Sequence, residues 1–153
     1  MNDQVPTTDL RSTAAFAGHP LHPAIVPIPI GLLSAAALSD LAYLATHDRF
    51  FVRMSRMLIG GGVIGGTIAA ALGLVDFATI RPARRREGYA HAGGNGVVLV
   101  LSAISLGLRG RSDKDAPILA VGLSAAAAGL LAITGWLGGE LTFRRGIGVH
   151  KRP

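Results

Sequence analysis

Ala24-Ile25-Val26-Pro27-Ile28-Pro29-Ile30-Gly31-Leu32-Leu33-Ser34-Ala35-Ala36-Ala37-Leu38-Ser39-Asp40-Leu41-Ala42-Tyr43-Leu44 carries a single charged side chain, Asp40, close to its far end. A helix of this length crosses the roughly 30 Å of hydrocarbon in a bilayer. Three comparable runs follow, at about residues 57–77, 92–108 and 116–137, each without charge or with one carboxylate near an end. Half of the 153 residues are hydrophobic and 16% are charged, a balance that few soluble domains of this size show. The predicted fold is therefore all-α, a four-span transmembrane bundle running up-down-up-down.

Working outward from the first span, the residues just before it are Gly18-His19-Pro20-Leu21-His22-Pro23. Pro20 and Pro23 disfavour the helical basin for His19 and His22, which predicts polyproline II geometry with a repeat of three. Both imidazoles then project to one side, about 9 Å apart along the chain. Residues 1–17 form a polar N-terminal tail with no apolar h-region, so no cleavable signal peptide is expected. Residues 18–143 make up the membrane domain and residues 144–153 a basic tail. Pro27 and Pro29 fall in the opening turn of the first span, where a missing amide donor costs little. In the second span Gly61 with Gly65, and Gly62 with Gly66, have the spacing that lets helix backbones approach closely in lipid.

The charges outside the spans decide topology. Lys and Arg number nine in the N-terminal tail, the second loop (Arg81, Arg84, Arg85, Arg86) and the C-terminal tail, against six (Arg49, Arg53, Arg56, Arg109, Arg111, Lys114) on the other side. That bias predicts both termini in the cytoplasm of a bacterial inner membrane. The net charge of +6 arises from these flanking positions, so it speaks for topology and against a nucleic-acid partner. With no Cys, disulfides, thiolate metal sites and cysteine nucleophiles are excluded.

Four antiparallel spans bring the starts of the first and third and the ends of the second and fourth to one face. His19, His22, Asp76, His91, Asn95 and Glu140 are expected there, and ionisable groups at membrane depth are functional candidates by default. Imidazoles from different helices can hold haem iron or a divalent metal, with His22 and His91 the best placed ligands and Asp76, Asn95 and Glu140 as their supports. A His–carboxylate chain can also relay protons. In the structural alternative these residues cap helix ends and pair with Arg. The two hairpins echo each other, each beginning with His and ending in Gly, a carboxylate, an aromatic and Arg, as a duplicated hairpin would. No nucleophile elbow, phosphate-binding loop or zinc-protease motif is present.

Gly18-His-Pro-Leu-His-Pro-Ala-Ile-Val-Pro-Ile-Pro-Ile-Gly31, Asp40, Gly73-Leu-Val-Asp76, His91 with Asn95, and Gly135-Trp-Leu-Gly-Gly-Glu-Leu-Thr-Phe-Arg-Arg-Gly-Ile-Gly-Val149 together resemble the DUF2231 family of bacterial four-helix membrane proteins. The resemblance covers about residues 16–150. Some relatives carry a fused Rieske-type iron–sulfur domain after the tail, which implies an electron-transfer setting and a redox protein partner. Relatives often have His where this chain has Arg145, and sometimes where it has Glu140. If those positions are ligands in relatives, this chain has lost them. The sequence leads to a small membrane subunit that binds a redox cofactor or metal, or supports electron or proton transfer. A structural accessory subunit, or a small-solute or ion transporter that forms a homo-oligomer, are the alternatives.

Overall fold

The computed structural model describes residues 11–80, 86–110 and 115–148. Arg81, Arg84, Arg85, Arg111, Lys114, Lys151 and Arg152, on which part of the topology reading rests, lie outside the described residues. The chain opens with a two-residue strand β1 (Ala15–Phe16) paired antiparallel with β2 (His19–Pro20). Then come α1 (Leu21–Ile25), α2 (Pro27–Thr46), α3 (Arg49–Thr79), α4 (Arg86–Arg109) and α5 (Ile118–Gly139), the last running into a π-helical turn over Glu140–Arg144. Four helical segments, Leu21–Thr46, Arg49–Thr79, Arg86–Arg109 and Ile118–Arg144, are long and apolar enough to cross a membrane.

The His-Pro stretch departs from the polyproline expectation. His19 is in extended chain, as Pro20 demands, but His22 lies inside the short helix α1. Pro20 is the extended residue before that helix, so Pro23 falls in its first turn, where the absent N–H has no partner to lose. The two histidines therefore do not share a polyproline face. Pro27 and Pro29 remove two donors on either side of Ile28, and α1 gives way to α2 at Val26, where the bonds Val26 N–H to His22 O (3.1 Å) and Ile30 N–H to Val26 O (3.3 Å) bridge the gap.

α2 turns into α3 at His47, in the left-handed conformation (φ 54°), and Asp48 caps α3 by accepting from the Phe50 amide at 2.8 Å. At 1.5 Å per residue the 31 residues of α3 reach roughly 46 Å, more than the hydrocarbon thickness. Its three arginines, Arg49, Arg53 and Arg56, all fall in its first eight residues. The most extensive packing joins α2 to α3 and α4 to α5, so the bundle is two hairpins laid together. At their junction Leu33, Val98, Ala127 and Leu131 form the apolar core.

Around this core, many large apolar side chains are exposed and several polar ones are buried. Leu38, Leu41, Met57, Ile64, Ile133 and Trp136 face outward, while Ser39, Asp40, Ser55, Ser102, Ser105, Arg109, Ser124 and Thr134 are buried. Apolar side chains outside and polar ones inside are what a lipid solvent selects.

Candidate functional site

At one end of the bundle two imidazoles meet in matching surroundings. His22 of α1 bonds through Nδ1 to the Ala69 carbonyl of α3 at 2.7 Å, and His91 of α4 bonds through Nδ1 to the Thr134 carbonyl of α5 at 2.9 Å. Four residues beyond each carbonyl stands a glycine, Gly73 or Gly138, that lies against the ring. A Cβ at either would come within 2.8 Å of the imidazole Cε1. Both rings thus rest on bare helix backbone, and their centroids are 6.4 Å apart at an interplanar angle of 87°.

A carbonyl only accepts, so Nδ1 carries the hydrogen in both rings and the neutral imidazole keeps its lone pair on Nε2. Metal-binding histidines are commonly oriented by such a bond from the other ring nitrogen. Asn95 sits one turn along α4, donating to the His91 carbonyl at 2.8 Å and accepting from Thr134 Oγ1 at 3.3 Å. Thr134 therefore supports His91 with its carbonyl and Asn95 with its hydroxyl.

The remaining expected site residues are engaged elsewhere. His19 is exposed in β2. Asp76, buried near the end of α3, binds the N-terminal segment: Ser12 Oγ donates to its two oxygens at 2.9 and 2.8 Å, and the Thr13 and Ala14 amides donate at 2.9 and 3.1 Å. Glu140 pairs with Arg144 at 3.0 Å, and Arg145 pairs with Glu87 at 2.7 Å, tying the tail to the start of α4. Among the described residues no carboxylate joins the imidazoles, and no three His, Cys, Asp or Glu side chains are grouped to hold a metal ion.

At the opposite end lies a second polar centre, built on the Asp40 that the sequence places near the far end of the first span; its partner was missed. Arg109, read as a loop charge, is 3% exposed and forms a two-pronged ion pair with Asp40, 2% exposed, at 2.9 and 2.7 Å. Ser124 of α5 also donates to Asp40, and Ser105 Oγ donates to the Ala120 carbonyl at 2.7 Å. The signal lay in spacing. Asn95, Ser102, Ser105 and Arg109 recur on one face of α4, and a polar stripe on an apolar helix faces the bundle interior.

A four-helix bundle with apolar exterior, polar interior and paired histidines at one end defines a small polytopic membrane protein. The family model described as "Predicted membrane protein (DUF2231)" matches residues 18–151, and the chain belongs to that family. No curated protein and no solved structure matches it. It sits in a lipid bilayer, and its fold is the all-α, four-span arrangement expected from the apolar runs.

Proposed function

We propose that the chain is a membrane subunit whose His22/His91 pair serves a redox centre. The observation that carries this reading is the pair itself: both Nδ1 hydrogens are committed to backbone carbonyls, which makes the Nε2 lone pairs, that of His91 lying 3.5 Å from Asn95 Nδ2, the donors that separate hairpins offer at one membrane end. Divalent metals in protein sites generally draw on three or more side chains, whereas haem iron is satisfied by two axial ligands. The donor set therefore fits haem better than zinc or a similar ion. The withdrawal of Asp76 and Glu140 into other contacts removes the carboxylates that a His–carboxylate relay would need.

The membrane is the bacterial inner membrane and the termini are cytoplasmic, supported by the arginine bias. That bias sharpens once Arg109 is removed from the opposite side, leaving nine against five. A redox protein at the histidine end, or a second copy of the chain, is the natural partner. Reporter fusions at Pro153 and at Asp115 are expected to read cytoplasm and periplasm; the reverse pattern would move the histidine pair to the periplasmic side.

The test of the redox reading is an absorption spectrum, with metal analysis, of protein expressed with ample haem precursor and iron. The expected result is a reduced-minus-oxidised haem spectrum that is lost in His22→Ala and His91→Ala variants that still fold. A colourless, metal-free wild type would favour the second reading, an accessory subunit without chemistry of its own. The structural employment of Asp76 and Glu140 already speaks for it.

A further inference from the structure

The interior face of α4 is polar along nearly its whole length. His91, Asn95, Ser102, Ser105 and Arg109 are half-buried or buried, while Val97, Val100, Ile104 and Leu108 of the same helix are exposed. From His91 to Arg109 the helix rises about 27 Å, close to the full hydrocarbon thickness. The other helices feed the same interior with Ser39 and Asp40 (α2), Ser55 (α3), and Ser124 and Thr134 (α5), all buried.

Packing does not demand these groups, since Ala or Val would fill similar space without the cost of burying a hydroxyl. Two of them make the point directly. The hydroxyls of Ser55 and Ser102 are fully buried and have no hydrogen-bond partner among the described residues. Such groups are rare in folded proteins and call for an explanation.

The stripe is interrupted once. Between Asn95 and Ser102, a rise of about 10 Å, stands Val98, packed with Leu33, Ala127 and Leu131. Two polar half-paths thus end on one apolar plug. His22, His91, Asn95 and Thr134 lie on one side of it; Asp40, Arg109, Ser105 and Ser124 lie on the other. Beyond Asp40, Tyr43 Oη donates to Asp115 at 3.3 Å and continues the polar groups towards the surface.

We propose that the bundle interior is a proton path across the membrane, gated at Leu33, Val98 and Leu131. Imidazole Nε2 atoms load or release the proton at one end, and the Asp40 carboxylate does so at the other. Between them hydroxyls and entering water pass it on. Each transfer makes one O–H or N–H bond as its neighbour breaks, so no oxidant or reductant is required. An apolar constriction that wets only transiently is an established way to gate such a path. This proposal goes beyond the redox reading and competes with it for the same Nε2 atoms, so it is tested on colourless, metal-free protein, where a failed redox reading leaves it standing.

Purified full-length protein in phosphatidylcholine vesicles, with a pH-sensitive dye inside and a potassium diffusion potential set by valinomycin, tests it. Wild type is expected to acidify the lumen faster than protein-free vesicles. Val98→Ser, which makes the plug polar, and Leu33→Ala, which widens it, are each expected to raise the rate several-fold. Adding Ser102→Ala to either is expected to return the rate towards wild type. Two plug variants, reconstituted in equal amount and melting cooperatively, that pass protons no faster than empty vesicles would overturn the proposal. So would flux that ignores Ser102→Ala, because it would mark a nonspecific leak.

Discussion

At the scale of single residues the Asp40–Arg109 pair is where stability and sequence meet most sharply. Two charges removed from water repay their desolvation only when each is fully partnered, and here two parallel hydrogen bonds and Ser124 do this. Asp40→Ala or Arg109→Ala leaves one charge alone in an apolar interior and is expected to cost about 3–5 kcal/mol. Replacing both with Leu is expected to cost far less than either single change. Thermal melting of the four proteins in one detergent checks this; additive losses would show that the pair is not coupled. The histidine supports are smaller in effect. Gly138→Ala puts a methyl 2.8 Å from the His91 Cε1 and must push the ring off the Thr134 carbonyl. The expected loss is about 1–3 kcal/mol, that of a buried polar group left unpaired, again read from melting. His22 and His91 could be singled out from sequence because each borders an apolar run. Their carbonyl partners could not, since a backbone acceptor leaves no residue-type signature. Arg109 was misread because a terminal arginine that faces lipid headgroups and one that turns inward look alike until a partner is known.

At the scale of elements, the two glycine pairs of α3 are not equivalent. The expected contact face of α3 was read from two overlapping pairs, and the structure ranks them. A Cβ on Gly62 would meet Leu33 Cδ2 at 2.5 Å and Cγ at 2.7 Å, and one on Gly66 would meet Leu99 Cδ2 at 2.7 Å, whereas Gly61 and Gly65 have 3.2 and 3.6 Å of room. Spacing shows that a small-residue face exists but cannot tell which of two adjacent rows lies nearest the neighbouring helix. Gly62→Ala is therefore expected to lower the melting temperature by forcing Leu33 out of the core. Gly60→Ala, which meets nothing within 4 Å, is expected to be neutral or to stabilise by up to about 1 kcal/mol through helix propensity. Equal melting of the two variants would show that α2 and α3 adjust their separation freely. The N-terminal segment offers a second test at this scale. Asp76 holds Ser12–Ala14 by hydrogen bonds to a charged acceptor, and these lead straight into β1, β2 and the helix that carries His22. Asp76→Asn is expected to weaken that hold and to speed proteolysis before His19, leaving the spans intact. An unchanged digestion rate would show that the strand pair and α1 keep the segment in place without the carboxylate. A polar tail read from composition alone gave no hint of this contact, because two of its donors are backbone amides and the other two are hydroxyls of the kind any polar tail carries.

At the scale of the whole molecule the four spans could be read directly from the apolar runs, since hydrocarbon thickness fixes helix length and leaves little else to decide. The echo between the two hairpins, faint in the sequence, acquires a register from the contacts. His22 and His91 are 69 residues apart, and so are Asp40 and Arg109. The acceptors Ala69 and Thr134 are separated by 65 residues, as are Gly73 and Gly138, so both halves of the second hairpin follow the first at nearly constant offset. Residues at equivalent positions that touch each other lie beside an approximate twofold axis running along the bundle. The histidine pair marks one end of that axis and the ion pair the other. This symmetry makes a prediction that a bundle of four unrelated helices would not. Exchanging the charges, Asp40→Arg with Arg109→Asp, places each group in a backbone setting equivalent to the one it left and preserves the attraction between them. The exchange is expected to recover most of the 3–5 kcal/mol or so lost in either single alanine variant. Recovery should stop short of complete for one reason. Ser105 and Ser124, which serve the pair from the second hairpin, correspond by the same offsets to Ala36 and Ile59 in the first, so the relocated groups keep each other but not the hydroxyl donation that Asp40 receives. A double variant that melts no higher than the single alanine variants would mean that the hairpins are not equivalent at this depth, and that the constant offset reflects helix length alone.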